Sequence, residues 1–330
     1  MRANTDWFRD AKWGLFMHFL AAPASGGQAD FGVDEWNRQV DAFDVERLAS
    51  QLAEVGAGYF YLTLGQNTGF FCSPNATYDS LVGRNPSRLS RRDLVGDLHR
   101  ALSPLGIRTM VYLPSHAPAF DKEAISRLRC TPPFDCVRWS FRPDAYAAEE
   151  AARTDERVTE FQRFWESIIR EWSERWREDV HGWWFDGCYY ADRMYRAADA
   201  PNFASFAAAA RAGNPASLVA FNPGVKCPII CWSDVEDYTA GEISECLPVT
   251  TERSPKSRYV EGAQYHVLSY LGTSWGRGSL RFPDDLVVGF TRHVNDVGGV
   301  VTWDVPVGER GTLTDATRRQ LAALRVATRG

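Results

Sequence analysis

The sequence predicts a single-domain α/β protein, a TIM-like (β/α)8 barrel, and three observations support this prediction. Short apolar segments alternate with segments of helical periodicity from one end of the chain to the other. Eight of the apolar segments have the length and composition of strands, and the 330 residues exceed the ~250 residues typical of this barrel. A doubly wound sheet is the alternative, but no predicted strand runs into the G-x-G-x-x-G turn of such folds.

The predicted strands are short and rich in β-branched and aromatic residues. They comprise Gly14–Leu20, Gly58–Leu64, Ile107–Leu113, His181–Gly187, Ser217–Asn222, the weak Val235–Thr239, His266–Leu271 and Gly299–Asp304. The segment His266–Leu271 is also compatible with part of a helix. Trp183, Trp184 and Phe185 suit a strand that is covered on both faces, as strands in parallel barrels are.

Helices are predicted between the strands wherever apolar residues recur at helical spacing. They comprise Phe43–Val55, Asp93–Leu105, 155–178, Pro201–Ala212, Asp284–Val294 and Asp315–Val326. The apolar stripe of the helix at 155–178 predicts core packing and not a sugar site; it consists of Val158, Phe161, Trp165, Ile168, Ile169, Trp172 and Trp176. We expect residues 1–330 to form one catalytic barrel with two long loop insertions, at about 65–91 and 114–153.

Composition narrows the class of protein. The net charge of −5 and the lack of a basic stripe argue against a nucleic-acid partner. No apolar run is long enough to span a membrane, and the N-terminus has no apolar signal region, which predicts a cytoplasmic protein. Seven scattered cysteines predict reduced thiols. We expect no metal and no cofactor, and the sequence leaves the oligomeric state open, a homo-oligomer included.

Polar residues at the predicted strand ends define the candidate site, since catalytic groups of such barrels lie at the C-terminal ends of strands. They are His18, Gln66, Asn67, Tyr112, Ser115, His116, Asp186, Asn222, Asp237, Glu242, Trp275, Trp303 and Asp304. Carboxyl pairs, amides and aromatic planes are what hydrolysis of a glycosidic bond requires. A capping role for Asp186 or Asp304 and a core role for His18 stay open at this point.

Several segments, in the correct order, resemble motifs of the α-L-fucosidases of glycoside hydrolase family 29. They are Trp7–His18, Glu35–Trp36, Phe43–Thr63, Arg92–Val95, Leu105–Tyr112, Trp184–Gly187, Asp237–Glu242, Ser274–Gly276 and Val297–Pro306. The resemblance implies a retaining exo-glycosidase with Asp186 as the nucleophile and Glu242 as the general acid/base. A carbohydrate substrate would then be the partner of this chain.

The resemblance also implies which residues surround the sugar. His18, Glu35 and Trp36 would shape the sugar subsite, and Tyr112 would lie near the nucleophile. Candidate substrate-binding residues from the strand ends complete the set: Gln66, Asn67, Asn222 and Trp275.

Departures from the family pattern fall on sugar recognition. Gly65–Phe70 replaces the family's K-H-H-D-G-F, and Asn222-Pro223-Gly224 replaces its N-D-R-W. Tyr265-His266 replaces its W-E, so His266 or Glu261 could take the place of its second glutamate, and its C-terminal β-sandwich is absent.

Because a site built from different donors and acceptors rejects the original ligand, these changes predict another sugar, or fucose bound differently. A catalytically inactive glycan-binding barrel is the alternative function. Transglycosylation would use the same residues as hydrolysis.

Overall fold

A computed structural model describes residues 2–22, 32–130, 155, 157–244, 247–250 and 252–329. They form a curled parallel sheet of seven strands in the order β5-β4-β3-β2-β1-β9-β8, with helices packed on it. The strands are β1 Trp13–Met17, β2 Tyr59–Thr63, β3 Arg108–Pro114, β4 Gly182–Asp186, β5 Leu218–Phe221, β8 His266–Tyr270 and β9 Val300–Asp304. A separate antiparallel hairpin pairs β6 Tyr259–Val260 with β7 Ala263–Gln264. The predicted α/β class is confirmed.

All six predicted helices are present, with ends shifted by a few residues. The helices are α1 Asp6–Ala11, α2 Val33–Asp41, α3 Val45–Val55, α4 Ala76–Val82, α5 Leu94–Leu102, α6 Lys122–Arg127, α7 Thr159–Trp176, α8 Ala191–Met194, α9 Phe203–Ala210, α10 Asp284–Asp296 and α11 Asp315–Arg329. Side-chain caps fix several starts: Asp44 accepts a hydrogen bond from the Arg47 backbone, and Asp93 from that of Gly96. Among the helices described, none combines the length and apolar character needed to cross a bilayer.

The insertion predicted as loop at 65–91 contains a helix, α4. Asn75 caps α4 by accepting from the Tyr78 backbone, and its Nδ2 donates to the Ile168 carbonyl of α7 at 2.9 Å. A helix of seven residues has little stability alone, so α4 depends on these contacts with α7. Because the contacts are tertiary, the apolar periodicity of the segment did not predict the helix. Only part of the second insertion is described; it contains α6, whereas residues 131–154 lie outside the described ranges.

The predicted sixth strand, Val235–Thr239, is not a regular strand. Tyr238 and Glu242 instead form single parallel bridges with Gln264 and Leu268. On the other side, the Asp237 backbone N–H donates to the Val219 carbonyl of β5 at 2.8 Å. The segment therefore lies between β5 and β8, although regular strands among the described residues do not close an eight-stranded barrel. His266–Tyr270 is a strand, so the helical alternative for this segment is wrong.

The two faces of the sheet bury different side chains. The outer face packs against the helices, and the predicted stripe of α7 is buried there from Val158 to Trp176. The inner face forms a second cluster rich in tyrosine, in which the Tyr61 hydroxyl donates to that of Tyr238 at 2.7 Å. Phe8 of α1 joins this cluster, with its ring 4.8 Å from that of Tyr59. This packing fills the interior beneath the C-terminal ends of the strands.

Candidate active site

A cleft of about 360 Å³ opens at the C-terminal ends of the strands. It is lined by Phe16, His18, Gln66, Tyr112, Trp184, Asp186, Glu242, Leu268 and Trp275. Six of these nine residues are among the residues that the sequence singled out. The location agrees with the rule that parallel barrels place their functional groups at this end.

Asp186 is the last residue of β4 and points to the same side as Trp184, since side chains two apart in a strand share a face. Gly187 turns the chain away with a φ of +77°, and a Cβ there would lie 2.6 Å from the His116 ring. The Asp186 carboxylate accepts hydrogen bonds on both oxygens. Oδ2 accepts from the Tyr112 hydroxyl at 2.6 Å, and Oδ1 accepts from the Gly187 backbone at 2.8 Å.

Two further donors approach Asp186 Oδ1. Asn222 Nδ2 lies 2.8 Å away, and the half-buried Tyr189 donates its hydroxyl over 3.3 Å. Hydrogen bonds to a carboxylate stabilise its charged form. The Asp186 carboxylate is therefore held by four hydrogen-bond donors, from Tyr112, Gly187, Tyr189 and Asn222.

Glu242 has the opposite environment. Its side chain is buried, and it accepts one hydrogen bond from Asn222 Nδ2, at 2.6 Å on Oε2. Burial, and then the negative charge of Asp186, raise the pKa of Glu242 to about 7, while the Asn222 amide acts in the opposite direction. Two neighbouring carboxyl groups whose environments separate their protonation states are the arrangement expected for a nucleophile and a general acid.

The two carboxyl groups lie close together because one amide nitrogen contacts both. Asp186 Oδ1 and Glu242 Oε2 lie 2.8 Å and 2.6 Å from Asn222 Nδ2, so they cannot be farther apart than the sum of these distances. That limit applies to one oxygen of each group, and it is compatible with the ~5–5.5 Å carboxyl separation of retaining glycosidases. The sequence singled out Asn222 as a substrate-binding residue, and the structure places it between the carboxyl groups.

His18 and Trp275 line another part of the cleft, and Asp304 lies behind them. His18 Nδ1 lies 2.7 Å from Asp304 Oδ1, and the His18 and Trp275 rings are 5.5 Å apart. Asp304 Oδ2 accepts from the Gly276 backbone N–H at 2.6 Å. Burial raises the pKa of the Asp304 carboxyl, and the neighbouring His18 opposes that shift. His18 is thus neither a core histidine nor isolated; it lines the cleft and is held from behind.

Gln66 and Asn67 occupy different positions although they are adjacent. Gln66 lines the cleft, and its Nε2 donates to the Tyr112 hydroxyl at 2.9 Å. Asn67 is not among the lining residues; its backbone carbonyl accepts from Phe120, and its side-chain oxygen is buried without a hydrogen-bond partner. The relay from Gln66 through Tyr112 reaches the nucleophile candidate, Asp186.

The structure does not bring Glu35 or Trp36 to the cleft. Glu35, on α2, pairs with Arg38 and accepts from Gln39 Nε2 at 3.2 Å. Trp36 is fully buried, and its Nε1 donates to the Phe71 carbonyl at 3.0 Å. Glu35 and Trp36 therefore serve the helix and the core in this structure.

Neither His266 nor Glu261 lines the cleft. His266 is fully buried in the sheet interior, where its Nε2 lies 2.7 Å from Thr302 Oγ1. Glu261 is exposed at the turn of the β6–β7 hairpin. Neither residue takes the place of the family's second glutamate at this cleft.

Phe16, Trp184 and Leu268 line the cleft but were not predicted to do so. A signal for two of them was available: Phe16 and Trp184 each precede a predicted site residue by two positions and so share its face. Asp304 was among the candidates with a capping role left open, and its contact with His18 could not be predicted because the two residues are 286 positions apart.

Metal-binding potential and free thiols can be assessed for the described ranges only. Within them, no group of three or more His, Cys, Asp or Glu side chains is arranged to hold a metal ion. Five of the seven cysteines fall in these ranges, and of these Cys72, Cys227 and Cys231 carry free thiols.

Comparison with known proteins adds three findings. The sequence model of the family described as "Alpha-L-fucosidase" matches residues 33–245, which is more than half of the chain. Comparison with curated proteins gives no match. Many solved structures share the fold at low sequence identity.

Two kinds of solved structure illustrate this likeness. Endo-fucoidan hydrolase MfFcnA4 of glycoside hydrolase family 107 is 18% identical with a TM-score of 0.69, over 97% of this chain and 53% of that one. This chain thus spans about half of the length of that enzyme. The alpha-L-fucosidase AlfC from Lactobacillus casei, solved with its alpha-L-fucose product, is 16% identical with a TM-score of 0.63, over 98% of both chains. At such identities the likeness shows a shared fold.

Proposed function

Because the chain belongs to the alpha-L-fucosidase family of glycosidases, we propose that it is a retaining, exo-acting glycoside hydrolase. Residues 1–330 would form a single catalytic domain. The segment from Asp237 to Glu242 would close the sheet into a barrel between β5 and β8, since it is hydrogen-bonded toward both strands.

In the first step, Asp186 attacks the anomeric carbon of the bound sugar. Oδ2 is the attacking atom, because Oδ1 already accepts from three donors whereas Oδ2 accepts only from Tyr112. The bond from the anomeric carbon to the leaving oxygen breaks, and Glu242 gives its proton to that oxygen. The products are the free alcohol and a glycosyl ester on Asp186.

In the second step, a water molecule takes the place of the departed alcohol. The Glu242 carboxylate accepts a proton from this water, whose oxygen attacks the anomeric carbon and releases Asp186. Glu242 ends protonated and Asp186 ends ionised, so the site is ready for another substrate. Two inversions give net retention of configuration.

The observation that carries this proposal is the shared contact of Asn222 with both carboxyl groups. It supports the retaining mechanism over an inverting one. An inverting enzyme needs room for a water molecule that attacks the far side of the sugar, and carboxyl groups this close leave none. It also favours turnover over the inactive glycan-binding alternative, because carboxyl groups more than ~10 Å apart would lie outside the range for either stereochemical outcome.

We further propose that the sugar is not fucose, or is fucose bound differently. Gln66 stands where the family has histidine, and its Nε2 is engaged with Tyr112, which leaves its carbonyl oxygen to accept from a sugar hydroxyl. Pro223 and Gly224 replace the segment that holds the family's arginine. The cleft-lining residues of this structure include no cationic side chain, which fits an uncharged sugar.

The test is a panel of aryl glycosides with stereochemical analysis. The panel contains L-fucoside, L- and D-galactosides, arabinosides and rhamnoside, and proton NMR identifies the first-formed anomer of any product. We expect retention with the wild type. Asp186→Ala should lose activity and, with added azide, give a glycosyl azide of inverted configuration, because azide replaces the missing nucleophile.

A matched control separates chemistry from folding. Glu236→Gln removes another buried carboxyl group, which accepts from the Trp232 and Phe221 backbones outside the cleft, and should leave the stereochemistry and kcat unchanged. Inverted product from the wild type, or full activity in Asp186→Ala, would overturn the mechanism. Binding of a panel sugar without hydrolysis of any substrate would favour the inactive alternative.

A further inference from the structure

We propose that Asp304 is a positioning residue that builds the sugar-binding side of the cleft by holding His18 and the Trp275 loop at once. This inference rests on the proposed function, because it gives those two groups a sugar to contact. Asp304 is the last residue of β9 and is fully buried. It does not line the cleft itself.

The Asp304 carboxylate uses its two oxygens on different elements. Oδ1 lies 2.7 Å from His18 Nδ1, just after β1, and Oδ2 accepts from the Gly276 backbone at 2.6 Å, in the loop after β8. These elements are otherwise far apart in the sequence. One buried side chain therefore fixes two of the surfaces that face the ligand.

The contact with Oδ1 settles which nitrogen of His18 carries a proton. An ionised carboxylate accepts hydrogen bonds and donates none, so Nδ1 is the donor when the Asp304 carboxyl group is ionised. Nε2 is then left for the cleft, as an acceptor in the neutral ring or as a donor in the charged ring. Without Asp304 the ring could adopt either tautomer and turn, and its contact with a sugar hydroxyl would be lost for part of the time.

The contact with Oδ2 places Trp275. Gly276 has a φ of +71°, and a Cβ there would lie 2.7 Å from the His18 Cβ, so the loop packs directly on the histidine. Trp275 is thereby held 5.5 Å from His18 and 4.7 Å from Tyr270, ring centre to ring centre. A buried carboxylate that only capped a loop would have no reason to contact His18.

Asp304→Asn tests the inference with little change of shape. A single amide oxygen can accept from His18 or from Gly276 but cannot replace both carboxylate oxygens, and Asp304→Ala replaces neither. Because the lost contacts act on bound sugar in the ground state and the transition state alike, KM should rise while kcat changes little. We expect KM to rise about tenfold in Asp304→Asn and further in Asp304→Ala.

A double variant shows whether Asp304 acts through His18. His18→Ala with Asp304→Asn should raise KM by less than the two single changes combined, since only the Trp275 loop is then left for Asp304 to position. Additive effects of the two changes on KM would overturn the inference. Glu236→Gln is the control for loss of a buried carboxyl group and should leave KM unchanged.

A second measurement needs no turnover. Nitrogen-15 NMR of the six histidines, with the His18 signal assigned by its loss in His18→Gln, should show a protonated Nδ1 in the wild type. Asp304→Ala should shift that signal, and an identical signal would refute the positioning role. If no panel glycoside is hydrolysed by the wild type, the proposed function fails while this measurement still decides the role of Asp304. Should Asp304→Ala not fold, the KM of Asp304→Asn and of the double variant decides it.

Discussion

The two sides of the cleft are built on different principles. On the proposed catalytic side, Asn222 donates to both Asp186 and Glu242 from a neighbouring element. On the proposed recognition side, His18 and Trp275 are held from behind by Asp304. Segments that resemble the family's motifs occur on both sides, and the departures at Gly65–Phe70 and Pro223–Gly224 adjoin the residues around the carboxyl pair. Sugar choice can therefore change close to the proposed catalytic groups while those groups are kept.

The largest expected effect distinguishes Glu242 from Glu236, two buried glutamates of one segment. Glu242→Gln removes the general acid, so kcat/KM for alkyl glycosides should fall about 10³-fold. Dinitrophenyl glycosides need little help in leaving and should lose less than about tenfold. Glu236→Gln is the matched control, because Glu236 is also fully buried but contacts Trp232 and Phe221 backbone groups. Steady-state kinetics on the two leaving groups measures both variants.

Equal losses on alkyl and dinitrophenyl substrates would contradict the acid role of Glu242. A loss in Glu236→Gln as large as that in Glu242→Gln would show that burial, and not contact with the substrate, explains the effect.

The next effect concerns the amide between the carboxyl groups. Asn222→Ala removes the shared contact, so the two carboxyl groups lose their fixed spacing, and kcat/KM should fall about 100-fold. The Asn222 hydrogen bond lowers the pKa of Glu242, so its loss should also move the alkaline limb of the pH profile upward. If activity persists within about threefold and the limb stays in place, Asn222 is a bystander. Thermal melting of the variant checks that it is folded.

The pH profile gives a smaller effect with a defined sign. The pKa of Glu242 is raised to about 7, and the acid must be protonated in the first step. kcat/KM should therefore fall as pH rises through about 7. In Asp186→Asn the repulsive charge is gone, so the pKa of Glu242 should fall, which carbon-13 NMR of labelled glutamate can measure. An unchanged Glu242 titration in that variant would disprove the coupling.

The smallest expected effect concerns the choice of sugar. Gln66→His restores the family's residue type and removes the donor to Tyr112, which should change the ratio of kcat/KM values between L-fucoside and the preferred sugar about tenfold. Asn67→His is the matched control, because Asn67 does not line the cleft. Kinetics on the same panel compares them. A larger change in the control than in Gln66→His would mean that the roles of these neighbours are reversed.

Sequence alone predicted most of this arrangement. Strand β4 was identifiable because Trp183, Trp184 and Phe185 form an apolar run that stops at Asp186. The contact of Asn222 with both carboxyl groups was not identifiable, because it depends on how β5 and the segment that carries Glu242 pair in space. The segment from Val235 to Thr239 was predicted as a strand but is not a regular one. Isolated β-bridges connect this part of the chain to its neighbours, and such bridges have no signature in the local sequence.

The misplacement of Trp36 has a similar cause. Similarity to a family motif identified Trp36 in the sequence, but its indole donates to the Phe71 carbonyl. This is a tertiary contact, which the local sequence does not predict. Glu35 pairs with Arg38 on the same helix, which is the ordinary behaviour of a helical carboxylate.

The filled interior beneath the cleft has a consequence for the order of events. Phe8, Tyr59, Tyr61 and Tyr238 occupy the space below the site, so that side of the cleft is filled by packed side chains. If Asp186 carries the sugar as an ester, as proposed, the departing alcohol and the molecule that replaces it would pass on the side away from this packing. Whichever molecule next reached that ester, water or another alcohol, would determine the product. Access of water to the cleft would thus set the balance between breaking a glycan and extending one.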